Sequence, residues 1–232
     1  MLRRFAGASV IISTLDQVLP QPDQLCGPFS ASVALTAVLD EDAPDVTALA
    51  VASGSAIWPV EVASARPPGS PRLTDGWDGL PRAASTDTAG TTAAGLAEGI
   101  ATATDHRVAV IPIRGPGAER LRLLLARLAD AQFRFSLLAN VHTAELTEFD
   151  WNVGHFVTVW GFDQAEDGVA IADTYRELGD PNMPPGCRTV STDAFASAMS
   201  ERGLLMIVES DDHDAALALT RSLDLRHDVW SV

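Results

Sequence analysis

The sequence predicts an α+β protein in which a helix near the N-terminus packs on an antiparallel sheet built in the C-terminal half. Two stretches and the size of the chain carry this. Phe29, Val33, Ala37 and Val38 recur at helical spacing between Cys26 and Leu39, with no further proline before Pro44. Residues 155–162 and 168–172 are apolar, β-branched runs joined by a short polar turn, the pattern of a hairpin. At 232 residues, with 47% hydrophobic side chains and five Trp, the chain can bury a full core as one domain over residues 1–232, with an insertion around 44–130.

Taken in order, residues up to about 19 read as a short helix or an extended lead-in. Pro20-Gln21-Pro22 then forces an extended approach to the helix beginning at Cys26, because proline and the residue before it both disfavour the α region. Residues 44–58 read as a second helix through Val46, Leu49, Ala50 and Ser53. The stretch 66–82, dense in Pro and Gly, reads as a long loop carrying Trp77. A small-residue helix over 91–104 precedes a strand over 107–114, which Gly115-Pro116-Gly117 closes. Leu121, Leu124, Leu125 and Leu128 mark the clearest amphipathic helix, over 118–131. An apolar strand over 133–141 precedes the hairpin. Beyond a proline-rich loop at 179–186 the pattern gives a helix over 192–202, a strand over 204–209 and a weakly amphipathic tail over 211–225.

The formal net charge is −15, and all 16 basic residues are Arg. Such a field repels phosphate backbones and anionic headgroups, which counts against nucleic acid and membrane surfaces as partners and favours a neutral or basic substrate. Without Lys there is no Schiff-base chemistry. Two cysteines in a chain this long make no disulfide framework, and a redox pairing of Cys187 with Cys26 rests on number alone. No signal-like apolar run opens the chain and no segment approaches the ~20 residues of a membrane span, so a cytoplasmic protein is expected.

A cysteine at a helix start has an activated thiol. The first amides of a helix lack intrahelical partners and the dipole is positive there, so the thiolate is stabilised against the thiol. A nucleophilic thiol also needs a base close in space and an acceptor that orients the base. In the hairpin, His155 begins the first strand and Asp173 follows the end of the second, so the antiparallel turn brings both to one end of the sheet. His155 is therefore the expected base for Cys26, and Asp173 the expected orienter of its ring. A side-chain amide a few residues before such a cysteine can donate to an oxyanion together with the cysteine's own N–H. Gln21 and Gln24 both stand in that position.

The Cys26-Gly27-Pro28 helix start, the run Gly154-His155-Phe156-Val157-Thr158-Val159 and the Asp173 beyond it resemble the C39-type, papain-like cysteine peptidases, the best known of which trim leader peptides from bacteriocin precursors. The resemblance implies a papain-like cysteine protease fold of the α+β class, with Cys26 as nucleophile, His155 as base and Asp173 as orienter, acting on an amide bond of a peptide or amide substrate. In that family the oxyanion Gln stands six residues before the cysteine. Here Pro20 holds that place and Gln21 the next. Leu25 stands where an Asp often precedes the cysteine, and this sequence has no membrane segment of the kind many members carry as a fused transporter.

Other residues carry weaker signals. Trp77 suits either a substrate-binding flap or a packed surface loop. Gln24 is also a candidate substrate contact, as are Asn152 and Trp151 just ahead of His155. His142 suits a substrate contact or an alternative base. His106, His213 and His227 fall outside any metal-ligand spacing, so neither a metal nor another cofactor is expected. The same three residues would serve an acyl or peptidyl transferase that passes the thioester to an amine, and the same shape would serve a non-catalytic binding module.

Overall fold

A computed structural model of the chain describes residues 1–148 and 150–231. Its strands are β1 (Leu2–Arg4), β2 (Val108–Arg114), β3 (Phe135–His142), β4 (Gly154–Asp163), β5 (Gly168–Ala172), β6 (Cys187–Ser191) and β7 (Gly203–Glu209). They form one seven-stranded sheet in the order β2-β7-β3-β4-β5-β6, with β1 on the far end of β4, and each of these pairings is antiparallel. The helices are α1 (Ala8–Val18), α2 (Cys26–Leu39), α3 (Val46–Ala52), α4 (Ala93–Ala103), α5 (Ala118–Leu128), α6 (Thr192–Ala198) and α7 (His213–Ser222).

Strand side chains alternate between the two faces of a sheet, and both faces are covered here. Along β7, Leu204, Met206 and Val208 join the cluster made with α5, α6 and α7, while Leu205 and Ile207 join the one made with α2, α3 and α4. A register slip of one residue would turn both rows over, and each fully buried Leu or Ile holds about 1.5–3 kcal/mol against that. Residues 44–130 supply α3 and α4 to one layer, β2 to an edge of the sheet and α5 to the other layer.

The α2 helix is buried along most of its length, from Gly27 to Leu39. A helix apolar on every side belongs in an interior. The second helix is shorter than its spacing predicts. Asp45 caps it by accepting from the Ala48 N–H at 2.8 Å, but it ends at Ala52 because Gly54, with φ 63°, turns the chain into the left-handed region. Two short strands, β1 and β6, had no signal of their own in the sequence. Among the described residues no helix is long and apolar enough to cross a membrane.

The 66–82 loop is fastened to the segment before Cys26. Asp23 donates its N–H to Leu73 O at 2.9 Å, its carboxylate pairs with Arg66 at 3.1 Å, and its carbonyl accepts from Trp77 Nε1 at 2.9 Å. The Trp77 ring packs on Leu25, Ala50 and Ile57, with the Arg72 guanidinium 5.6 Å above it. We expect Trp77→Ala to lower the unfolding free energy by about 2–3 kcal/mol in urea titration at constant m. A change under about 0.5 kcal/mol would show that the loop is not anchored there.

Candidate active site

The position of Cys26 is fixed by the contact of α2 with β4. Ser30 Oγ donates to Phe156 O at 2.9 Å, and Thr158 Oγ1 donates to Ser30 O at 3.3 Å. Gly27 keeps this approach close, since a Cβ there would meet Phe156 and Leu96 at 3.3 Å. The Cys26 thiol lies within electrostatic reach of the His155 imidazole and of the backbone N–H groups of Gly27 and Phe156. No side chain caps α2 and its first turn carries no acid, so the thiolate is the anion that its N-terminal dipole meets.

Behind the ring, His155 Nε2 lies 3.0 Å from Asp173 Oδ1 and 3.2 Å from Thr174 Oγ1. Nδ1 is the nitrogen left for the sulfur. The ring is held edge-on by Trp151, with centroids 5.0 Å apart, and stacks on Tyr175 at 5.9 Å. Asp173 leaves the sheet just past the last pair of β4 and β5, Thr158 with Ala172. Its own N–H donates to Gly186 O at 2.8 Å. Gly186 adopts φ 72°, and a Cβ there would come within 2.6 Å of Asp173 O, so this turn requires glycine. The Asp173 carboxylate also accepts from the Thr174 N–H at 2.8 Å and from Arg188 Nη2 at 3.2 Å.

Burial alone would raise the pKa of Cys26. The hydrogen bond and charge of His155, with the two backbone amides, outweigh it and hold the thiol below its ordinary value. Burial alone would lower the pKa of His155. The charge and hydrogen bond of Asp173, followed by those of Cys26, overcome it and lift the imidazole to about 9. The two shifts describe a thiolate–imidazolium pair. Cys187 shows the opposite case. It is fully buried, makes no disulfide with Cys26, and burial pushes its thiol up to about 11.

A cavity of about 660 Å³ opens on Cys26 and His155. Gln21, Gln24 and Asn152 line it, as does His142. The two glutamines differ in what they can do. Gln24 spends both ends of its amide on the Trp58 backbone, donating to O at 2.9 Å and accepting from N–H at 2.8 Å. Gln21 is buried, donates from Nε2 to Tyr175 Oη at 3.0 Å, and leaves Oε1 without a partner. Trp77 is not brought to the cavity, whose wall on that side is made by Trp58, Val62 and Ser64. Trp151 lies beneath the His155 ring and is buried. Sequence reasoning missed Arg188, Thr174 and Tyr175 around the ring, and Asn140 and Arg202 on the cavity wall. Of these, only Thr174 and Tyr175 carried a signal, their adjacency to Asp173. Among the described residues no group of three or more His, Cys, Asp or Glu side chains is placed to hold a metal ion.

Fold and site together define an α+β protein with a seven-stranded antiparallel sheet and a Cys–His–Asp line at a cavity. The chain belongs to the family of unknown function DUF6885, whose model matches residues 5–231. No curated protein matches it.

The two pKa shifts set the pH dependence of the thiol. Because Cys26 ionises below its ordinary value and His155 keeps its proton to about 9, the ion pair is formed as pH rises past the first value and lost as it passes the second. Iodoacetamide at neutral pH should label Cys26 at least tenfold faster than Cys187, with the low-pH step absent in His155→Ala. Equal labelling of the two cysteines, followed by peptide mass spectrometry, would contradict the ion pair.

Proposed function

We propose that this protein is a cysteine-dependent hydrolase of papain-like fold, most simply a peptidase, that cleaves an amide bond through a thioester on Cys26. The observation that supports it is the line from the Cys26 sulfur through His155 to the buried carboxylate of Asp173, with the sulfur at a cavity wall. The resemblance of the Cys26 and His155 segments to C39-type peptidases agrees with this reading. The thiolate attacks the amide carbonyl carbon and the carbonyl oxygen takes the negative charge. When the tetrahedral adduct collapses, the C–N bond breaks and the imidazolium gives its proton to the departing amine. Water then adds to the thioester, the neutral imidazole takes its proton, and a carboxylic acid leaves as the thiolate and imidazolium are restored.

In this reading Gln21, rather than Gln24, serves the oxyanion, since Gln24 is engaged by the Trp58 backbone. Turning the Gln21 amide over makes Tyr175 the donor to Oε1 and frees Nε2 from that bond, in a side chain that lines the same cavity as Cys26. Burial holds the Tyr175 hydroxyl protonated, so it remains a donor. A reducing compartment keeps a thiol of this kind active.

The test is covalent capture with a library of peptidyl acyloxymethyl ketones, read by intact mass. We expect a single adduct on Cys26 that requires His155, no peptide turnover by Cys26→Ala, and a loss of about 10²–10³ in kcat for Gln21→Ala. Peptide cleavage by Cys26→Ala at the unmodified rate would refute the proposal.

A further inference from the structure

The geometry points to Arg202 as the group that binds a substrate carboxylate beside the scissile amide, an assignment that rests on Cys26 being the nucleophile. Arg202 precedes β7 and lines the cavity with Cys26 and His155. Its guanidinium lies flat over the α-carbon of Gly154, the residue before His155. A Cβ at Gly154 would come 2.6 Å from Nη1 and 2.9 Å from both Cζ and Nη2. Glycine at 154 thus leaves the room that the guanidinium occupies, one residue from the base.

Arg202 is half-buried, yet its one side-chain hydrogen bond goes to a neutral group, Asn140 Oδ1, at 3.2 Å, and it makes no ion pair among the described residues. The other well-covered arginines do otherwise. Arg66 holds Asp23 and Glu61, and Arg188 holds Asp173. A guanidinium withdrawn from water without a carboxylate is costly, and a ligand carboxylate received by its planar fork offsets that cost through two charge-assisted hydrogen bonds.

The rest of the cavity favours the same ligand. Asp87, an exposed residue, is its one carboxylate among the described residues, and its other polar side chains, Arg202 and Cys26 apart, are amides, hydroxyls and imidazoles beside apolar groups such as Trp58, Val62 and Phe156. The net charge of −15 argues for a neutral or basic substrate, but that field is screened beyond about 8 Å at physiological salt, and the charges next to the nucleophile are positive. The carboxylate is either the C-terminus of a peptide or an Asp or Glu side chain close to the cleaved bond.

Binding to the inactive Cys26→Ala chain tests this without turnover. The probes are acetylated pentaalanine peptides with Glu or Gln at each position in turn, each with a free or an amidated C-terminus, titrated by calorimetry. At least one acidic probe should bind about tenfold or more tightly than its neutral counterpart, and Arg202→Gln should abolish the difference. Loss of preference for the free C-terminus identifies an α-carboxylate, and loss of preference for Glu identifies a side chain. Gly154→Ala, which displaces the guanidinium at little cost to the fold, should weaken the acidic probe and leave the neutral one unchanged, and it carries the test if Arg202→Gln fails to fold. Equal binding of acidic and neutral probes, or a preference that survives both variants, overturns the assignment. Absence of turnover in the unmodified protein would count against the nucleophile alone.

Discussion

The structure of the site depends on a carboxylate with no access to water. Asp173 is 1% exposed, and a charge so placed must be matched by donors from the protein. His155 Nε2, the Thr174 N–H and Arg188 Nη2 supply them. Arg188 decides the balance. With the guanidinium on Oδ2, the carboxylate is shared between Arg188 and His155, so the imidazolium, held first by Asp173, also has charge to offer Cys26. At an effective dielectric of about 20, each close pair of unit charges is worth on the order of 4 kcal/mol. Four charges in two pairs then sum to zero in the interior. Removing Arg188 would leave the imidazolium to answer two anions.

The segment ahead of Cys26 is governed by a different constraint, the need to hold an irregular backbone against a helix end. Gln24 sits in the left-handed region at φ 65°, unusual for a residue with a side chain, and its amide closes a two-bond ring with the Trp58 backbone. Asp23 on one side of it is tied by Arg66, Leu73 and Trp77. Gln21 is the exception. Its backbone N–H reaches Thr174 O at 3.1 Å and its side chain reaches Tyr175. The residues that follow Asp173 in the sequence therefore also hold Gln21, so His155 and the Gln21 side of the cavity share one support.

Much of this was legible in the sequence, for physical reasons that differ by element. The hairpin of β4 and β5 could be read because two apolar, β-branched runs are joined by a short polar turn, and the antiparallel return brings Asp173 to the end of the sheet where His155 stands. The α5 helix could be read from its leucine stripe. In contrast, β6 offers five residues, Cys187-Arg188-Thr189-Val190-Ser191, directly after a turn-rich loop, and its main-chain pairing with β5 rather than any run of apolar residues makes it a strand. Arg188 was invisible for the same reason, since its role comes from standing opposite Ile171. Arg202 belongs to no motif. It meets the cavity only because β3 and β7 pair Asn140 with Gly203 and β3 and β4 pair His142 with Gly154. Trp77 was ambiguous because a large ring with one N–H suits a cleft and a loop anchor equally well, and only the packing on Leu25 and Ala50 distinguishes them.

The strongly acidic composition poses the question of how an anionic sulfur is tolerated at all. Charge at a distance is the wrong quantity to consult, since exposed carboxylates more than a screening length away contribute little. What counts is the shell around the sulfur. There the structure places the uncapped first turn of α2, whose amides have no competing acid, the Gly27 and Phe156 N–H groups, the imidazole of His155, and the Arg202 guanidinium, whose pKa burial lowers while the Cys26 charge partly offsets that. Some of the acidic residues are held in surface ion pairs such as Asp130 with Arg3 and Asp167 with Arg122, which contribute little to stability individually but engage those carboxylates away from the cavity. Sign reversal between the surface and the cavity follows from where the backbone amides and two side chains, His155 and Arg202, fall, and composition carries no trace of it.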